Sequence, residues 1–65
     1  MPVITVEGAP LSYERKKLLI ETLTKVASAI MDVPEKYYIV IVKENSTDNI
    51  GLSGAVLSER GPLAP

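Results

Sequence analysis

The chain has 65 residues, 46% of them hydrophobic, and its 7 basic and 8 acidic residues leave a net charge of −1. This balance excludes the strongly basic surface that binding to nucleic acid or an anionic membrane requires. Cysteine and histidine are absent, which excludes disulfides, an ordinary zinc site and triads built on those residues. A domain of this size buries only about 60% of its unfolded surface, so we expect further burial to come from other copies of the chain.

The sequence opens with Met1-Pro2 and then the strand-like run Val3–Glu7. Initiator methionine is generally removed before a small residue, so we expect the mature chain to begin with a free prolyl amine. Such an amine has a lone pair and can act as a general base, and an apolar pocket lowers its pKa towards neutrality by disfavouring the cation. Pro2 is therefore the candidate catalytic residue.

A helix is predicted from Tyr13 to about Met31. Glycine and proline in Gly8-Ala9-Pro10 end the first strand, and Ser12 suits the N-cap position. Apolar residues at helical spacing predict the buried face: Leu19, Leu23, Val26 and Ile30, with Ala27 beside them. Polar residues predict the opposite, exposed face: Lys17, Glu21, Lys25 and Ser28.

A second strand is predicted over the apolar run Tyr37–Val42, since Pro34 ends the helix before it. A strand that is apolar on both faces is typical of parallel pairing, so strand, helix and strand form one β-α-β unit with a right-handed crossover. Two strands and one helix leave a sheet face and both edges open. We expect another copy of the chain to cover them.

The last third of the chain predicts a polar loop at residues 45–49 and a short hairpin around Ile50–Gly54. Residues 1–65 are interpreted as a single domain whose tail is less ordered from about residue 59, with little intrinsic order in residues 61–65. The sequence contains neither an apolar run near the ~20 residues of a membrane span nor a signal-peptide pattern. The expected location is the cytoplasm.

The order and spacing of these segments resemble the 4-oxalocrotonate tautomerase family of the tautomerase superfamily. The likeness covers about residues 2–58 and rests on the N-terminal proline, Met31–Pro34, Ile39–Glu44 and Asn49–Gly54. It implies an α/β (α+β) fold, a β-α-β unit with a C-terminal β-hairpin, assembled as dimers into a hexamer. It also implies that the prolyl amine moves a proton between carbon and oxygen in enols of 2-oxo acids, without a cofactor or metal.

The resemblance also shows where this chain departs from the familiar pattern. The first loop reads Gly8-Ala9-Pro10-Leu11, without the family's substrate-binding arginine, and Ile39 and Ile50 stand where a second arginine and a pocket aromatic are familiar. These differences indicate a divergent subgroup that keeps the base and lacks the carboxylate clamp.

Six further residues are candidates for the substrate pocket. Ile39, Ile50 and Leu52 are predicted to form its apolar wall, partly across subunit boundaries. By strand alternation, Tyr37 shares the face of Ile39 and Tyr38 shares the face of Val40, and one of the two hydroxyls is expected to polarise a carbonyl. Arg15 and Lys16, in the first helical turn, are candidates to replace the missing loop arginine. Lys43, at the end of the second strand, and Arg60, on the tail, are further candidates for the same role.

Two other functions remain open from the sequence. One is a non-catalytic, tautomerase-like oligomer that lost activity together with the arginines. The other is a promiscuous hydratase or dehalogenase, which the missing clamp disfavours.

Overall fold

A computed structural model describes residues 1–60 of the chain. Its regular elements are β1 (Val3–Gly8), α1 (Tyr13–Met31), β2 (Ile39–Glu44), β3 (Gly51–Leu52) and β4 (Ala55–Val56). Short 3₁₀ turns occupy Glu35–Tyr37, Thr47–Asn49 and Leu57–Glu59. Residues 61–65, for which the sequence predicts little order, lie outside the described residues.

The two longer strands pair in parallel, with Val3 opposite Ile39 and Gly8 opposite Glu44. This confirms the predicted β-α-β unit. The short strands β3 and β4 pair antiparallel, as the predicted hairpin requires. Ser53 and Gly54 join them with φ angles of 54° and 81°. Positive φ at both central residues is the signature of a type I′ turn, whose twist suits a hairpin.

The helix begins and ends where its capping residues predict. The hydroxyl oxygen of Ser12 accepts a hydrogen bond from the backbone N–H of Arg15 at 3.3 Å, which satisfies one of the free donors of the first turn. At the other end Asp32 adopts the left-handed conformation, with φ 57°, and donates its N–H to the carbonyl of Ser28. The predicted bounds of α1 are confirmed.

The predicted buried face of α1 is correct only in part. Leu19, Leu23 and Ala27 are half-buried, but Val26 and Ile30 are 51% and 78% exposed. A sheet of two strands is narrow and covers a single row of helix residues. The neighbouring apolar row of α1 therefore remains exposed to solvent. Ser28, which was expected on the exposed face, is half-buried and donates its hydroxyl to the carbonyl of Val33 at 2.7 Å.

The predicted start of the second strand is also wrong by two residues. Tyr37 ends a 3₁₀ turn and donates its N–H to the carbonyl of Pro34 at 3.1 Å, and Tyr38 donates to Glu35 at 3.2 Å. These local hydrogen bonds replace strand geometry, so β2 begins at Ile39. Tyr37 therefore does not continue the face of Ile39 by strand alternation.

One copy of the chain has no enclosed core, since no residue of the described part is buried. On the sheet face away from α1, Val3, Ile39 and Ile41 are 56%, 40% and 41% exposed. The accessible surface is 5138 Å², against about 4,000 Å² for a compact protein of 7.0 kDa. The radius of gyration is 14.8 Å, against about 11 Å for a compact chain of this length. Much apolar surface is therefore left for a partner.

Candidate active site

Pro2 lies immediately before β1 and is held by the sheet. Its carbonyl oxygen accepts a hydrogen bond from the backbone N–H of Ile39 at 3.0 Å, and the residue is half-buried. Met1, in contrast, is 84% exposed. In a chain that retains Met1, the Pro2 nitrogen is an amide without basicity. Removal of Met1 leaves a secondary amine on Pro2, and the hydrogen bond from Ile39 fixes the position of that residue.

Three other residues lie at this end of the sheet. Ile39 is on the open face, two-fifths exposed. Tyr37 is half-exposed in its 3₁₀ turn, with the ammonium of Lys36 5.2 Å from its ring centroid. Tyr38, directly before β2, is half-buried, and its hydroxyl oxygen is buried without a hydrogen-bond partner in the described part of the chain. The structure therefore brings Ile39 to Pro2, while Tyr37 lies on the adjacent turn.

Ile50 lies at the opposite end of the sheet, and Leu52 lies in the hairpin strand β3, 44% exposed. Ile50 is half-buried and lines a surface depression of about 510 Å³. The depression is lined by Glu7, Gly8, Asn45, Asn49, Ile50 and Gly51. The carbonyl of Ile50 accepts a hydrogen bond from Leu57, and that of Leu52 accepts one from the guanidinium of Arg60 at 3.0 Å. These bonds join the hairpin to the residues that follow it.

The two candidate cations of the first helical turn have other surroundings. The ammonium of Lys16 lies 2.8 Å from a carboxylate oxygen of Glu44, whose other oxygen accepts the backbone N–H of Leu11 at 2.8 Å. The hydrogen bond from Lys16, followed by that from Leu11, lowers the pKa of Glu44. Arg15 lines a separate groove on the helix with Leu11 and Leu18. Neither cation lines the depression at Ile50.

A single chain therefore carries the candidate residues in two groups. Pro2, Ile39 and Tyr37 lie at the start of the strands, and Ile50, Arg15 and Lys16 lie towards their ends. β1 has six residues, which at about 3.3 Å per residue separate its two ends by roughly 20 Å. The two groups meet only if a second copy is present.

The depression also contains polar residues that the sequence does not indicate as site residues. Glu7, Asn45 and Asn49 line it together with Ile50. Their position in the sequence could have indicated this site. Glu7 and Asn45 come at the carboxyl ends of two strands that pair in parallel, where ligands of open α/β sheets commonly bind.

Comparison with known proteins identifies the family. The family model described as "Tautomerase enzyme" matches residues 2–60. The chain belongs to the tautomerase family. This confirms the resemblance found in the sequence, while comparison with curated proteins gave no match.

Solved structures of tautomerases share the fold. A 4-oxalocrotonate tautomerase homologue is 28% identical with a TM-score of 0.84, covering 91% of this chain and 95% of its own. DmpI from Archaeoglobus fulgidus is 28% identical with a TM-score of 0.82, covering 88% and 98%. An apo "unFused 4-OT" is 27% identical with a TM-score of 0.84, covering 91% and 98%. The whole described chain is thus a tautomerase fold.

Residues 1–60 contain neither a metal-binding cluster of side chains nor a helix that could span a membrane. Within residues 1–60, no group of three or more histidine, cysteine, aspartate or glutamate side chains is placed to hold a metal ion. In the same residues, no helix combines the length and hydrophobicity needed to cross a bilayer.

Proposed function

We propose that the chain, once Met1 is removed, is a cofactor-independent tautomerase that uses the amine of Pro2 as its general base. The observation that carries this proposal is the hydrogen bond from Ile39 to the carbonyl of Pro2. It holds the first residue of a tautomerase-family chain at a defined place beside an apolar side chain. A base works efficiently only when its position relative to the substrate is fixed.

The proposed reaction interconverts the enol and keto forms of a 2-oxo acid type substrate. The amine takes a proton from the enol hydroxyl, and the electrons move through the conjugated system to a carbon atom. The protonated amine then returns the proton to that carbon. Nothing is oxidised or reduced, and the substrate carbonyl stabilises the intermediate enolate, so no cofactor is needed. An apolar wall that includes Ile39 excludes water and keeps the amine neutral.

The active unit in this proposal is an oligomer. β1 and β2 each have one edge without a strand partner in the described chain, and open edges favour pairing. When a strand pairs with its own copy about a twofold axis, the two strands run antiparallel, so the start of one meets the end of the other. Pairing through β1 thus brings Pro2 towards Gly8 and Ile50 of the partner subunit.

Further association of such dimers then covers the open sheet face, where Val3 and Ile41 are exposed. A hexamer built as a trimer of dimers is the proposed assembly. The exposed apolar residues and the missing core of one copy support self-association.

The deciding experiment compares two preparations of the same sequence, one that begins at Pro2 and one that retains Met1, each verified by mass spectrometry. Ketonisation of a simple enol of a 2-oxo acid is followed by its ultraviolet absorbance. We expect catalysis only from the chain that begins at Pro2, because Met1 converts the amine into an amide. Equal activity of the two preparations rules out the amine as base. Inactivity of both supports the alternative of a non-catalytic assembly.

A further inference from the structure

Three polar residues line the depression at the carboxyl ends of β1 and β2. Glu7 comes from β1, Asn45 follows β2, and Asn49 ends the next 3₁₀ turn. Two backbone hydrogen bonds of 2.8 Å fix the main chain at the asparagines, one from Asn45 to the carbonyl of Gly8 and one from Asn49 to that of Ser46. The lining therefore combines polar residues on a hydrogen-bonded main chain with the apolar residue Ile50.

These three side chains have no partner within the described chain. Within residues 1–60, the Glu7 carboxylate accepts no hydrogen bond and forms no ion pair, and the side-chain amides of Asn45 and Asn49 make no hydrogen bond. The side-chain amide of each asparagine has an NH₂ group that donates hydrogen bonds and a carbonyl oxygen that accepts them. Their hydrogen-bonding capacity is thus available to a molecule in the depression.

The charges around the depression oppose an anion. Among residues 1–60, Glu7 is the one charged residue that lines it. Lys43 lies opposite Glu7 in the strand register but does not line the depression. Lys16 is paired with Glu44, and a guanidinium nitrogen of Arg60 donates to Leu52. A substrate carboxylate placed here meets a like charge and lacks the charge-assisted hydrogen bonds that usually hold it.

We propose that this depression binds an uncharged, hydrogen-bonding end of the substrate, such as a primary carboxamide, in place of a second carboxylate. This inference rests on the proposed function, since it places the depression next to Pro2 of a second copy. It names the chemistry of the substrate end that lies away from the reacting carbons. The asparagines bond the carboxamide, and Glu7 disfavours the acid.

The test uses two enols that are identical at the reacting end and differ at the distal end, one with a carboxylate and one with a primary carboxamide. The protein is the chain that begins at Pro2. We expect kcat/KM for the carboxamide to exceed that for the carboxylate by about tenfold. Asn49→Ala should lower the carboxamide value by about threefold to tenfold, the effect of one neutral hydrogen bond, and leave the carboxylate value nearly unchanged.

A charge variant tests the role of Glu7. Glu7→Gln keeps the size of the side chain and removes its charge. It should therefore raise kcat/KM for the carboxylate enol and reduce the preference for the carboxamide enol. Glu21→Gln, on an exposed part of α1, is the matched control and should leave the preference unchanged. A wild-type preference for the carboxylate, or an Asn49→Ala variant that weakens both substrates equally, overturns the inference.

A binding arm separates this inference from the proposed function. Saturated analogues of both compounds, which have no proton to transfer, are titrated into the protein while the side-chain amide NMR signals of Asn45 and Asn49 are monitored. If the carboxamide analogue shifts these signals at lower concentration but neither enol is converted, the proposed function fails, while the preference of the depression for an uncharged group is upheld. If the enols are converted with a carboxylate preference, the proposed function stands and the inference fails.

Discussion

The backbone N–H of Ile39 donates to the carbonyl oxygen of Pro2 across 3.0 Å, so these two residues are neighbours across the first step of the parallel sheet. The side chain of Ile39 lies on the open face, two-fifths exposed. Any group introduced at this position therefore lies beside the proposed base. The contact makes position 39 the most direct place to alter substrate charge preference.

Replacing Ile39 with arginine should improve catalysis towards a dicarboxylate enol. A charged hydrogen bond to the carboxylate contributes about 1.5–3 kcal/mol, or roughly 10- to 100-fold. Because it acts equally on substrate and transition state, the change should appear mainly as a lower KM with little change in kcat. Steady-state kinetics give both values, and Ile39→Met is the uncharged control. Unchanged kinetics with arginine contradict the assignment of Ile39 to the pocket.

Replacing Pro2 with alanine should reduce kcat without abolishing activity. Alanine leaves a primary amine at the same place, more flexible and of different basicity, so we expect a loss of roughly 10- to 100-fold, smaller than the roughly 10²- to 10⁴-fold that a general base contributes in full. Sedimentation of the variant should match that of the wild type, because Pro2 joins the sheet through its backbone carbonyl. A variant as active as the wild type excludes Pro2 as the base.

The chain should sediment as a closed oligomer, with a hexamer expected, at micromolar concentration. One copy has no buried residue in its described part, and Ile41 is 41% exposed on the open sheet face. Ile41→Glu puts a charge on that face and should dissociate the assembly, because burial of an unpaired charge is costly. Lys17→Glu, on an exposed polar part of α1, is the control. A folded wild-type monomer contradicts this prediction.

The Lys16–Glu44 pair should make stability depend on pH. Lys16 and the N–H of Leu11 lower the pKa of Glu44 below its ordinary 4.5. The folded state thus favours the carboxylate, and the resulting stability is present above the unfolded pKa and lost as pH falls through the folded value. Urea unfolding should show Glu44→Gln less stable than wild type at pH 6, with the difference shrinking below about pH 4.5. A difference that is constant over this range contradicts the assignment.

Replacing Asp32 with asparagine should stabilise the fold. Asp32 adopts a left-handed conformation at the C-terminal end of α1, where the last turn contains no basic residue. Asparagine tolerates that conformation equally well and removes a negative charge that the helix dipole disfavours at this end, an effect of about 0.3–1 kcal/mol. Urea unfolding at low salt measures the gain, which should diminish in 0.5 M NaCl. Asp48→Asn, away from the helix, is the matched control.

Local signals in the sequence predict the elements of this fold better than the surfaces on which they pack. Ser12 and Pro34 define the bounds of α1 because capping and proline effects act within a few residues. Periodicity does not show which of two adjacent apolar rows of α1 packs on a narrow sheet, so it wrongly predicts that Val26 is buried. The apolar strand pattern also wrongly includes Tyr37, because local hydrogen bonds form a 3₁₀ turn there.

The sequence predicts the candidate site only in part, because local signals do not show which distant residues meet. Pro2 and Ile39 follow from position in the chain and from the resemblance. The convergence of Glu7, Asn45 and Asn49 depends on the register of β1 and β2 and on a 3₁₀ turn, both of which arise from tertiary contacts. Three separate polar residues in a sequence do not predict that they line one depression.

The parallel pairing of Val3 with Ile39 has a kinetic consequence. This sheet cannot form from a local hairpin, because α1 separates its two strands in the sequence. The first pair of strand residues therefore has to form between distant parts of the chain. Such non-local closure is slow, and the sheet that results still exposes apolar side chains until copies associate. Refolding should therefore be limited by an encounter between chains, with a rate that rises with protein concentration and a competing loss to aggregation when association is delayed.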